Sequence, residues 1–193
     1  LPNSAYEGNR AMFKNYMPQT TKDAMIIDDR YNGGGFIPEH MITWLARKPL
    51  NYWKRRGVEP TKTPQFAHDG PKAMLINGYS SSGGDAIPYY FRQAGLGKLI
   101  GTRTWGGLIG ISGNPGLVDG GQVIAATFRI LDTQGNWIIE NEGVAPDIKV
   151  IDRPELIYKG QDPSIERAVQ ELLKELKANP KQPLVVPPAP SKF

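Results

Sequence analysis

Apolar residues along this chain gather in short runs separated by glycine- and serine-rich turns. Tyr6, Met12, Phe13, Tyr16 and Met17 recur at helical spacing and predict an amphipathic helix within residues 3–18. Ala24-Met25-Ile26-Ile27 is too short for a helix and ends in Asp28-Asp29-Arg30, the pattern of a buried strand that reaches the surface. Tyr31-Asn32-Gly33-Gly34-Gly35 then forms a tight turn, and helical spacing resumes over residues 37–46. The same order returns downstream: a strand at 73–77, a Ser/Gly turn at 78–84, a helix at 85–94 and a strand at 99–101. Residues 48–71 are polar and proline-rich, and predict an irregular excursion with an edge strand near Tyr52. After a glycine-rich stretch at 104–121, residues 123–131 and 136–139 predict two strands joined by the turn Asp132-Thr133-Gln134-Gly135. Residues 147–151 are apolar again. Residues 163–178 carry the clearest helical signal, with Asp162 as N-cap, Pro163 in the first position, and one apolar face of Ile165, Val169, Leu172, Leu173 and Leu176.

Strands alternating with helices define an α/β fold, here one domain over residues 1–179. Pro180, Pro183, Pro187, Pro188 and Pro190 predict an extended tail over 180–193. Sites in such folds lie in the turns that follow strands, which directs attention to the turns after Ile27 and Ile76.

Composition removes several kinds of chemistry. The chain has no cysteine, so a thiol nucleophile and a disulfide scaffold are excluded. Its two histidines, His40 and His68, are far apart in sequence and show no metal-ligand spacing. No Gly-x-Gly-x-x-Gly or Walker run is present, so no nucleotide cofactor is expected. No apolar run approaches the roughly 20 residues of a membrane span. The net charge of +4 includes a cluster at Arg47, Lys48, Lys54, Arg55 and Arg56, readable as a solvated patch or as a trap for anionic groups. No aromatic-plus-basic motif supports nucleic-acid binding. The chain opens at Leu1-Pro2-Asn3 without a methionine and reads as part of something longer. Trp105, Trp137, Tyr89 and Tyr90 read as packing residues.

Candidate chemistry lies in Ser80-Ser81-Ser82-Gly83-Gly84-Asp85. A serine at a strand-to-helix turn is exposed, faces free backbone N–H groups and sits in the positive field of the helix N-terminus. The same residues also serve as a simple helix cap. Gly33-Gly34-Gly35 is either a turn that needs positive φ or one wall of an oxyanion hole.

Four motifs occur in order: Asp-x-Arg-Tyr-Asn-Gly-Gly-Gly from Asp28, Asn-x-Tyr-Ser-Ser-Ser-Gly-Gly-Asp from Asn77, Gly-Thr-Arg-Thr-Trp-Gly-Gly from Gly101, and Glu-Asn-Glu-Gly-Val-Ala-Pro-Asp from Glu140. Together they resemble the tricorn protease family, in the clan of the C-terminal processing proteases, over residues 10 to 178. The resemblance implies a crotonase-like α/β fold, a mixed sheet with flanking helices. It implies a serine peptidase that needs no cofactor and acts on peptides. The nucleophile then maps to Ser82, three residues before Asp85, with Ser80 and Ser81 as local competitors. The oxyanion donors map to the backbone N–H groups of Gly83 and Gly34. The processing proteases carry a lysine base where this chain has Gly107. The tricorn branch instead uses Ser, His, a second Ser and Glu. That Glu maps to Glu140, with Glu142 one register away, and the Ser–His pair lies in an upstream domain. The resemblance therefore implies a multi-domain homo-oligomer, and a chain that is inactive without its upstream part. A non-catalytic ligand-binding module of the same fold is the alternative. The family's acidic specificity residue has no counterpart between Trp44 and Lys54, where the basic cluster stands instead.

Overall fold

The structure, a computed structural model, describes residues 1–190. Helix α1 (Tyr6–Tyr16) and a 3-10 turn (Met17–Gln19) lead to β1 (Met25–Asp28) and α2 (Pro38–Leu45). A ribbon of β2 (Asn51–Trp53) and β3 (Thr61–Thr63) precedes β4 (Lys72–Ile76), α3 (Gly83–Gln93) and β5 (Gly97–Gly101). The chain then runs through irregular structure to β6 (Ile148–Lys149), the short α4 (Pro154–Ile157) and α5 (Pro163–Ala178). Residues 180–190 form neither helix nor strand, and the last three residues of the expected tail lie outside the described residues.

The main sheet has the order β1-β4-β5-β6, and every pairing in it is parallel. Antiparallel pairing between strands occurs in the β2–β3 ribbon, beside isolated antiparallel bridges in the loop after β5, so the edge strand near Tyr52 exists but joins a separate sheet. All five residues of β4 are buried, because helices cover both faces of a parallel sheet. Side chains alternate across the strand. Met74 and Ile76 face Met12, Met41, Leu45, Ile87 and Phe91, while Ala73 and Leu75 face Ala168 and Leu172 of α5.

Two expectations are corrected. Of the apolar face assigned to α5, only Leu172 is buried and Leu176 half-buried. Ser164, Ala168 and Leu172 are buried, whereas Ile165, Val169 and Leu173 remain 39%, 42% and 60% exposed. The rotation of the helix is set by polar clamps at its start. Asp162 caps Ile165 N–H at 3.0 Å and bridges Arg30, and Asp152 accepts from the backbone and hydroxyl of Ser164 at 3.0 and 2.8 Å. The two strands expected over 123–139 are also missing. Their turn forms, with Asp132 N–H donating to the Asn136 carbonyl at 2.9 Å. Only isolated pairings flank it, such as Leu131 with Trp137. Val118, Val123 and Ile124 are exposed, and with no layer covering them the alternation gains nothing from extending a sheet.

Arg30 links the end of β1 to α5 through Asp28, Asp152 and Asp162 at 2.7, 3.0 and 2.9 Å, and its side chain is only 10% exposed. Arg30→Gln strands three carboxylates and is expected to cost about 3 kcal/mol in urea unfolding. Asp28→Asn removes only the most exposed partner and should cost less than about 1 kcal/mol. Equal small losses would show that the cluster is not a clamp.

Candidate active site

The turn after β4 presents three serines in different states. Ser80 is buried and its hydroxyl donates to the Asp29 carbonyl at 2.8 Å, so it is a structural tie. Ser81 is half-buried and its N–H donates to the Asn32 carbonyl at 2.9 Å. Ser82 has φ 55° and ψ −114°, a conformation that a side chain rarely adopts. Such strain costs on the order of 1–3 kcal/mol and persists only when the surroundings hold it. Here they do. Ser82 N–H donates to the Gly107 carbonyl at 3.0 Å, and its own carbonyl accepts from Asp85 and Ala86 at 2.9 and 3.0 Å. The next residue, Gly83, opens α3, and its N–H finds no acceptor among the described residues.

The glycine turn after β1 presses against this serine. A Cβ on Gly34, whose φ is +98°, would sit 2.7 Å from the Ser82 Cβ. A Cβ on Gly83 would sit 2.6 Å from the Gly35 carbonyl. Gly33 has open space around it, so Gly34 and Gly35 are the members of the triplet that the geometry requires. Gly34 N–H, expected to face substrate, donates to Asn32 Oδ1 at 2.9 Å. Asn32 is buried, and its amide donates to Asp29 Oδ1 at 2.8 Å and to the Ser4 hydroxyl at 3.1 Å.

The loop after β5 closes the third side. Gly106 N–H donates to Asp85 Oδ1 at 2.8 Å. Leu108 and Ile109 donate to Glu140 Oε2 at 2.7 and 2.9 Å. Glu140 thus lies under this loop, while Glu142 is exposed and offers only its carbonyl, to Arg103 at 2.8 Å. A Cβ on Gly107 would meet the exposed Trp105 ring, which would have to swing aside. Trp105 and Trp137 are 67% and 66% exposed, so neither is the packing residue the sequence suggested.

Burial pushes the Asp29 and Asp85 carboxyls above the usual carboxylate range. Hydrogen bonds from Asn32 to the first and from Gly106 to the second offset this only in part. Among the described residues, each has one oxygen, Oδ2, without a hydrogen-bond partner. His68 is buried, and burial together with the Lys72 charge lowers its pKa. His68 precedes β4 while Ser82 follows it, so about 16 Å of strand lies between them. His40 is exposed on α2, and no hydrogen bond joins either imidazole to Ser82. The basic cluster does not converge. The Arg47 guanidinium lies 3.4 Å from the centroid of the Trp44 ring, and Arg55 and Arg56 sit exposed in the β2–β3 turn. Among the described residues, no group of three or more metal-binding side chains gathers.

Residues 4–150 match the family Peptidase family S41. The chain belongs to that family. It is 35% identical over 178 residues to a tricorn protease of Thermoplasma volcanium, covering 91% of this chain and 17% of that protein. Tricorn protease homolog 1 of Streptomyces coelicolor is 31% identical over 180 residues, covering 93% of this chain and 17% of the homolog. The crystal structure of the tricorn protease superposes with a TM-score of 0.86 at 32% identity, over 91% of this chain and 17% of that one. The photosystem II D1 C-terminal processing protease shares the fold, with a TM-score of 0.61 at 19% identity over 89% of this chain and 45% of that one. This S41 chain therefore spans about a sixth of the length of the tricorn relatives it matches.

Two outcomes test the site's physics. Ser82→Gly should be more stable than Ser82→Ala by about 1 kcal/mol in denaturant unfolding, because glycine relaxes the positive φ. A Gly variant no more stable than the Ala variant would remove the strain argument. For Asp29 the folded-state pKa is raised, so protonation favours the fold. The group's contribution is full below the unfolded carboxylate value and lost as pH rises through the folded one. Asp29→Asn should therefore gain stability relative to the parent as pH rises from 4 to 8. A difference in melting temperature that does not vary with pH would count against a buried charged carboxylate.

Proposed function

We propose that this chain carries the nucleophile and oxyanion-binding half of a serine peptidase that cleaves peptides through an acyl-enzyme. The observation that carries the proposal is Ser82, held in a strained conformation at the start of α3 beside the free Gly83 N–H. Strain of this kind is stored where chemistry needs a hydroxyl lifted out of a turn.

The Ser82 Oγ attacks the scissile carbonyl carbon while its proton passes to a histidine supplied from outside residues 1–190. The oxyanion accepts from Gly83 N–H, aided by the positive end of α3. Gly34 N–H joins when the substrate oxygen replaces Asn32 Oδ1. The C–N bond then breaks, the histidine returns the proton to the leaving amine, and water releases the acyl group by the reverse sequence. Glu140 braces the loop that accepts Ser82 N–H, and its second oxygen supports the base through another serine. The relatives' much greater length supports the view that the base and further domains lie elsewhere in a larger protein, which we expect to assemble as a homo-oligomer. A serine without a base is a poor nucleophile, so this chain alone is expected to be inactive. The engagement of Gly34 by Asn32 is the one feature that favours the rival reading, a non-catalytic ligand-binding module.

Labelling with a fluorophosphonate tests the assignment on the isolated chain and on the protein at its full natural length. Labelling of the longer protein alone, lost on Ser82→Ala, is the expected result. Equal labelling of the isolated chain would refute the external base. No labelling of either would favour the binding module.

A further inference from the structure

Three strands end in succession at the serine's edge of the sheet, and each is followed by one exposed aromatic residue. Tyr31 follows β1, Tyr79 follows β4 and Trp105 follows β5, with exposures of 66%, 72% and 67%. Because the strands lie in the order β1-β4-β5, the three residues form a row across the C-terminal edge. At about 4.8 Å between strands, the row is about 10 Å long.

The row is built rather than incidental. Asn77 Oδ1 accepts from the backbone N–H of both Tyr31 and Tyr79, at 3.2 and 3.1 Å, which fixes the two turns together. The two rings stack at 5.3 Å between centroids and 16° between planes. Tyr31 does this at φ 65°, in a turn that already contains three glycines, where glycine would be cheaper. Trp105 N–H donates to the carbonyl of Ser80, the residue after Tyr79, at 2.9 Å. Its indole lies across Gly107, whose carbonyl holds Ser82 N–H at 3.0 Å. The row therefore ends at the candidate nucleophile. Folding of this chain does not account for it, since within residues 1–190 all three rings leave most of their surface uncovered.

We propose that Tyr31, Tyr79 and Trp105 form a substrate platform that receives apolar or aromatic side chains of an extended peptide. Successive side chains on one face of an extended peptide are about 6.8 Å apart, so the row spans two of them. Aromatic faces take up such groups by burial and stacking. This deepens the peptidase reading and rests on it for the identity of the ligand.

The test uses the full-length protein carrying Ser82→Ala, so that binding is read without turnover. The probes are fluorescent hexapeptides with Phe or Leu at alternate positions, and the same peptides with Ser there. The parent should bind the apolar peptides more tightly. Tyr79→Ala, Trp105→Ala and Tyr31→Gly should each reduce that preference, the ratio of the two Kd values, by about tenfold. Tyr31→Gly relaxes the backbone, so its loss of preference would not reflect misfolding. With Ser82 restored, the same variants should raise KM for the apolar peptide more than they lower kcat. A parent with no apolar preference, or variants that keep it, would overturn the platform. An apolar preference that depends on these three residues, in a protein whose Ser82 resists labelling, would uphold the platform while the peptidase reading fell.

Discussion

The turns after β1 and β4 meet where a Cβ on residue 34 would come within 2.7 Å of the Ser82 Cβ. A Cβ on residue 83 would likewise come within 2.6 Å of the Gly35 carbonyl, so the contact leaves no room for a side chain at residue 34 or 83 and glycine is required in both turns. Asn32 locks it. Its carbonyl takes Ser81 N–H and so ties the two turns together, while its side chain takes Gly34 N–H within the glycine turn. The strained conformation of Ser82 follows from that lock and from Gly107, which holds the serine from the third turn. Released from these ties, the serine would relax into an ordinary helix cap.

Charge is arranged around this contact in two ways. Outside it, Arg30 gathers three carboxylates and sets the rotation of α5 against the sheet. Beneath it, Asp29 and Asp85 are buried with one oxygen each unpaired among the described residues, where desolvation works against their charge. These carboxylates hold Asn32 and Gly106, and through them the glycine turn and the loop after β5. The site is thus supported by groups that cost stability. Natural proteins tolerate that trade where geometry matters more than free energy.

Most of the fold was legible in the residues. The apolar runs at residues 24–27 and 73–77 read as buried strands, and Asp162-Pro163 marked the start of the longest helix. The serine turn, the glycine turn and their resemblance to a peptidase family were legible too, because each depends on residue types in a local order. Residues 123–139 misled, since alternation predicts a strand only where another layer exists to cover it. The rotation of α5 misled for a similar reason: Arg30, which bridges its cap Asp162, lies 132 residues away in sequence.

By itself, then, the sequence determined that this chain carries no thiol of its own, and it singled out the turns after β1 and β4 as the candidate site. Tertiary structure alone decided which of the three serines is strained, that Gly34 N–H is held by Asn32, and that Tyr31, Tyr79 and Trp105 line up along one edge. The division has a physical cause. Turn chemistry is a property of a few consecutive residues, whereas strain, burial and alignment arise when strands distant in sequence are brought to about 4.8 Å from one another.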